Sequence, residues 1–125
     1  MNTVVNTPKA PGAIGPYSQA ICTGTRLYTS GQLGVDAATG TLPDDFAAQA
    51  HLAMQNLGHV LEAAGFSFAD VVKATVLLDD LANFTTLNEI YASYLPEIKP
   101  ARTCYQVAAL PKGAKVEIEM IAEKG

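Results

Sequence analysis

Three side chains near the end of the sequence are of types that could do chemistry together. The run Ala101–Ala108 has the composition of a β-strand, and the two-residue side-chain period puts Arg102, Cys104 and Gln106 on one side of it. A second strand-like run, Val116–Glu123, follows a short connection, Leu110–Lys115; if the two strands pair, Glu117 approaches the same region. A guanidinium suits bidentate capture of a carboxylate. A glutamate in a partly desolvated cleft has its pKa raised and handles protons near neutrality. The structural alternative is an Arg102 that only pairs with Glu117 or Glu119, beside a Cys104 that is a small core residue.

A covalent role for Cys104 would require an activating base. The only histidines, His51 and His59, fall in a helical stretch and are expected on its outer face. Eight helical residues separate them by about 12 Å, too far to share one metal ion. Surface histidines are the simpler expectation, so neither a thiol mechanism nor a metal site is expected. Elsewhere, Ser30-Gly31-Gln32 ends a strand where a glycine allows the backbone to approach a ligand closely, although a simple strand-end turn would look the same. Gly15-Pro16 forms a rigid turn that delivers Tyr17. Asn88 sits among apolar neighbours on a helix, where a buried amide needs partners.

The elements that must position these residues follow from periodicity. Thr3–Asn6 could add a short strand ahead of the Pro/Gly-rich stretch Pro8–Pro16. Tyr17–Cys22 and Arg26–Gln32 read as strands joined by a hairpin-sized gap. A helix is expected from an Asp44 cap, with Ala50, Ala53, Met54, Leu57, Val60, Leu61 and Ala64 on its apolar stripe and Gly65 as its left-handed terminator. Asp70–Leu78 is a buried strand, with Val72, Ala74, Val76 and Leu78 on one face and Val71, Lys73, Thr75 and Leu77 on the other. A second helix spans about Asn83–Tyr94, with Phe84, Leu87, Tyr91 and Tyr94 on one stripe. The order predicts an α+β fold: a sheet of about six strands with both helices on one side. Its second face is too apolar along the central strand to meet water, which points to self-association and to sites between subunits.

Composition narrows the classes further. At 125 residues the chain has room for one domain, and 49% hydrophobic against 16% charged residues rules out disorder. The net charge is −4, and the eight basic residues are scattered, so no phosphate-tracking stripe forms and nucleic-acid binding is not expected. No apolar stretch approaches a membrane span. The proline-interrupted N-terminal stretch fits neither a signal nor a transit peptide, and two cysteines are too few for a disulfide framework, so a cytoplasmic location is expected.

Seven segments in register resemble the RidA/YjgF family of imine deaminases. They are Ala13–Gln19 (AIGPYSQ), Leu27–Val35 (LYTSGQLGV), Ala48–Gly65 with its QA…NL…VLEAAG pattern, Asp70–Val76 (DVVKATV), Phe84–Tyr94 (FTTLNEIYASY), Pro100–Cys104 (PARTC) and Leu110–Glu119 (LPKGAKVEIE). Together they span nearly the whole chain, implying one RidA-like domain over residues 1–125. The resemblance implies a chorismate-mutase-like fold, a homotrimer with three clefts between subunits, and hydrolysis of 2-imino acids to 2-keto acids and ammonia without metal or cofactor. It also implies roles. Arg102 would hold the substrate carboxylate, Tyr17 would pack over the bound molecule, and Ser30 and Gly31 would line the cleft. The Cys104 backbone and Glu117 would position and activate water, with Asn88 nearby. Tyr105-Gln106 would tune the pocket. A small-carboxylate-binding regulatory module using the same cleft is the alternative, and an endoribonuclease a further one that the acidic charge disfavours.

Overall fold

The computed structural model describes residues 2–125. In chain order it contains β1 (Thr3–Val5), β2 (Ala20–Cys22), β3 (Arg26–Thr29), β4 (Gln32–Leu33), α1 (Phe46–Ala63), β5 (Val71–Leu78), α2 (Phe84–Tyr94), β6 (Ala101–Gln106) and β7 (Val116–Glu123). All strands join one mixed sheet in the order β1-β2-β3-β7-β5-β6, with β4 also on β7. The strands number seven rather than six because the run expected over Arg26–Gln32 breaks after Thr29 and resumes at Gln32. Among the described residues no helix is long and apolar enough to cross a membrane.

The strand order overturns one expectation directly. β6 does not pair with β7, because β5 lies between them, parallel to β6 and antiparallel to β7. The physical reason is the distribution of polarity. β5 buries Val71, Ala74, Val76 and Leu78 and takes a central place, whereas β6 carries Arg102 and Thr103 and takes the edge. Parallel strands need a long crossover, and α2 supplies it between β5 and β6.

Residues directly opposite one another share a sheet face. One face therefore carries Ala74, Val76 and Leu78 of β5 with Met120, Ile118 and Val116 of β7. These pack in one core cluster with Ala50, Ala53, Met54, Leu57, Val60 and Leu61 of α1 and Leu87, Ile90 and Tyr91 of α2, so both helices cover this same face. Burying a leucine such as Leu57 contributes roughly 1.5–3 kcal/mol. Among the described residues neither helix covers the opposite face, which carries Lys73, Thr75 and Leu77 beside Ile121, Glu119 and Glu117.

Two local expectations are corrected. A bulge between Val71 and Lys73 breaks the alternation of β5, turning Val71 into the core and leaving Val72 46% exposed. The cap of α1 is Asp45, whose Oδ2 accepts from the Ala48 N–H at 3.0 Å; the Asp44 carbonyl instead accepts from Lys115 Nζ at 2.7 Å. The end of α1 is as expected: Gly65 has φ 81°, and Phe66 N–H donates back to the Leu61 carbonyl at 2.9 Å.

Candidate active site

The break between β3 and β4 is a bulge. Tyr28 pairs with Ile121 and Gln32 with Ile118, so three residues of the β3–β4 segment face two of β7. The bulge is tied down by side chains: Thr29 Oγ1 accepts from the Met120 N–H at 2.9 Å, and Ser30 Oγ donates to the Ser18 carbonyl at 2.5 Å. The outcome is a backbone laid against Glu117. A Cβ at Gly31 would overlap the Glu117 carboxylate, so glycine here is what lets that carboxylate keep its place. Burial pushes the Glu117 carboxyl above the ordinary carboxylate range, and the neighbouring Glu119 charge adds to the shift.

Glu117, Ser30 and Gly31 line a cleft of about 630 Å³ whose walls include Tyr17, Leu33 and Val35. Gly15, at φ 128°, and Pro16 turn the chain so that Tyr17 N–H donates to the Gly15 carbonyl at 2.9 Å, leaving the ring 52% exposed at the cleft. Behind Tyr17, the buried Gln19 amide accepts from the Thr7 N–H at 2.8 Å and reaches the carbonyls of Thr7, Ala10 and Pro11. Two further buried amides fix the floor. Asn56 Nδ2 donates to the carbonyls of Leu33 and Val35, and Gln49 Oε1 accepts from the Lys115 N–H just before β7.

Arg102 stands elsewhere. Its Nη1 donates to Asn88 Oδ1 at 2.8 Å, and its Cζ lies 5.0 Å from the Tyr91 ring centroid and 5.6 Å from that of Phe84. Among the described residues the ion pairs are Lys9–Glu62 and Arg26–Glu123, and no carboxylate reaches Arg102. The structural alternative, an Arg102 consumed by Glu117 or Glu119, is therefore not realised. The guanidinium is positioned by a neutral amide and two aromatic faces, with its charge left uncompensated. Cys104, two residues along the same face, is half-buried; burial pushes its thiol up, and the Arg102 charge opposes that shift. A neutral thiol is a poor nucleophile.

The two groups of residues do not meet within one chain. Arg102 is opposite Ala74, which is opposite Met120, so Arg102 lies on the helix-covered face. Glu117 is opposite Leu77, which is opposite Tyr105, so Glu117 lies on the bare face. The expectation that Glu117 approaches Arg102 across paired strands is corrected by this register: β5 intervenes, and the odd offset turns the carboxylate away. Tyr105 shares the Glu117 face and is half-exposed, while Gln106 Oε1 accepts from the Leu81 N–H at 2.9 Å and serves the turn into α2.

His51 Nδ1 is 2.8 Å from the Tyr94 hydroxyl and His59 Nδ1 is 3.0 Å from the Lys9 carbonyl, both remote from the cleft. Among the described residues no three His, Cys, Asp or Glu side chains converge as a metal site. The sequence reading missed Phe84 and Tyr91 as the cradle of Arg102, taking them for a core stripe. The available signal was the spacing of Phe84, Asn88 and Tyr91, which at i, i+4 and i+7 share one helix face.

Comparison with known proteins decides the lineage. Residues 7–124 match the family model described as Endoribonuclease L-PSP. The 2-iminobutanoate/2-iminopropanoate deaminase of Bos taurus is 54% identical over 98% of this chain and 90% of its own length. The chain belongs to the RidA/YjgF family. Among solved structures, RidA from the Antarctic bacterium Psychrobacter sp. PAMC 21119 superposes with a TM-score of 0.95 at 49% identity, covering 98% of this chain and 99% of that one. Escherichia coli TdcF with bound serine gives a TM-score of 0.95 at 44% identity, again covering 98% of this chain and 99% of that one. The RidA/YjgF relatives thus share both the sequence and the mixed sheet with its two helices.

Proposed function

We propose that this protein is a 2-iminobutanoate/2-iminopropanoate-type deaminase, hydrolysing reactive 2-imino acids to 2-keto acids and ammonia. The observation that carries the reading is the pair of incomplete half-sites. One has a fixed cation without an anion, and the other has a proton-handling carboxyl in an open cleft. Residues 1–125 act as one domain of chorismate-mutase-like fold, assembled as a homotrimer in which the bare sheet face of one copy meets the β6 edge of the next. Each cleft then takes Glu117, Tyr17, Ser30 and Gly31 from one copy and Arg102, Asn88 and Cys104 from its neighbour. Cyclic packing of three identical chains is heterologous, each copy presenting a different surface to its neighbour, and so brings unlike faces together in this way.

In that cleft Arg102 grips the substrate carboxylate and Tyr17 packs over the bound molecule. Glu117, with the Cys104 backbone, orients a water against the imine carbon. Glu117 takes one water proton as the C–O bond forms and passes it to the imine nitrogen. The carbinolamine hydroxyl then gives its proton through the same carboxylate to that nitrogen as the C–N bond breaks, releasing keto acid and ammonia. Imines hydrolyse unaided in water, so orientation and one proton relay suffice. No metal or cofactor is required by these steps. The serine bound to TdcF is a small carboxylate with nitrogen on its α-carbon, the same pattern that a 2-imino acid presents.

The serine complex also favours a second reading, a sensor of small carboxylates built on the same cleft. Generating 2-iminobutanoate enzymatically and following its decay with and without the protein separates the two. Acceleration by the parent, lost by roughly 10–100-fold in Arg102→Lys with the fold retained, supports catalysis through a bidentate clamp. Decay at the uncatalysed rate overturns it. The endoribonuclease named by the family model is disfavoured by a net charge of −4 and by cations engaged singly across the surface.

A further inference from the structure

We infer that Tyr91 is a positioning residue for the Arg102 guanidinium, acting through the face of its ring. The inference rests on the deaminase reading above and deepens it. Tyr91 is 5% exposed, and its ring centroid lies 5.0 Å from Arg102 Cζ, the nearer of the two aromatic contacts. Among the described residues its buried hydroxyl has no hydrogen-bond partner. The contact Tyr91 makes with Arg102 is through the face of its ring. Asn88 fixes a single nitrogen of Arg102. The aromatic face sets the plane in which the remaining N–H groups are presented, and a planar fork must be oriented before it can match a carboxylate at two points.

Attraction between a cation and a ring depends on the electron density of the ring face, and fluorine withdraws that density at nearly constant volume. The test places phenylalanine and then mono-, di- and trifluorophenylalanine at position 91 and measures binding of 2-oxobutanoate, the keto-acid product, by calorimetry. Tyr91→Phe is expected to bind within about twofold of the parent and to be at least as stable. Affinity is then expected to fall stepwise with each fluorine, reaching roughly three- to thirty-fold at the end of the series. The imine-decay assay should show the same trend in KM, with kcat little changed. A flat series in a folded protein overturns the positioning role and leaves the deaminase reading standing. A parent protein that neither binds 2-oxobutanoate nor accelerates imine decay overturns both.

Discussion

Arg102 and Glu117 project from opposite faces of the same sheet, separated by the full width of β5. Arg102 is in register with Ala74, and Glu117 with Leu77, an odd offset that no side-chain rotation reverses. Each is equipped for a partner that its own chain does not provide. Among the described residues, the guanidinium is held by Asn88 with no carboxylate in reach, and the carboxyl is desolvated in a cleft whose one lining cation is Lys112. The proposed homotrimer would complete the chemistry by bringing the two together.

Two glycines on either side of β4 should behave oppositely. At Gly31 an added methyl meets only the side-chain end of Glu117, which can give way at the cost of its place in the cleft, so Gly31→Ala should fold normally but lose roughly 10²-fold in turnover. At Gly34 the methyl runs into the Gln49 backbone inside α1, so Gly34→Ala should lose about 2–3 kcal/mol of stability. Urea melts and imine-decay rates on the two variants check this contrast.

Glu117 should trade stability for activity. The folded chain holds the Glu117 proton more tightly than the unfolded chain does, so stability falls as pH rises through the glutamate range. Glu117→Gln removes that loss. The variant should melt at a higher temperature than the parent near pH 7, with the gap closing as the solution is acidified below the ordinary glutamate range. Its turnover should drop by roughly 10²–10⁴-fold. Thermal melts across the pH range would contradict the account if the parent were the more stable protein at neutrality.

Cys104 should be dispensable as a thiol. Burial keeps it protonated at neutrality, and the proposed role falls on its backbone. Cys104→Ala is expected to retain turnover within a few-fold, and alkylation of Cys104 by iodoacetamide should stay slow until alkaline pH. Abolished activity in a folded Cys104→Ala variant would reinstate a covalent route.

Much of this was legible in the sequence for specific reasons. The stripe from Ala50 to Leu61, the left-handed Gly65 and the alternation of β7 are local patterns, and each appears as expected. The chemical types at Arg102 and Glu117 were likewise visible. What was not legible depends on pairing between distant segments. Nothing local in Ala101–Gln106 says that it joins β5 rather than β7, and that choice decides which face Arg102 shares with Glu117. The bulges at Val71–Lys73 and Thr29–Gly31 are register events of one residue, invisible to a period-two reading. The buried amides of Gln19, Gln49 and Asn56 read as ordinary polar residues until their carbonyl and N–H partners are known.

Complementation between two disabled proteins tests the divided site most directly. Arg102→Met and Glu117→Gln chains would be purified, unfolded together at equal amounts, refolded and assayed for 2-iminobutanoate decay. If each cleft takes its guanidinium from one copy and its carboxyl from another, random mixing restores about a quarter of the parental activity, because that share of clefts receives both intact residues. If both groups came from the same chain, every chain would lack one of them, and a mixture as inactive as its two components would contradict the account.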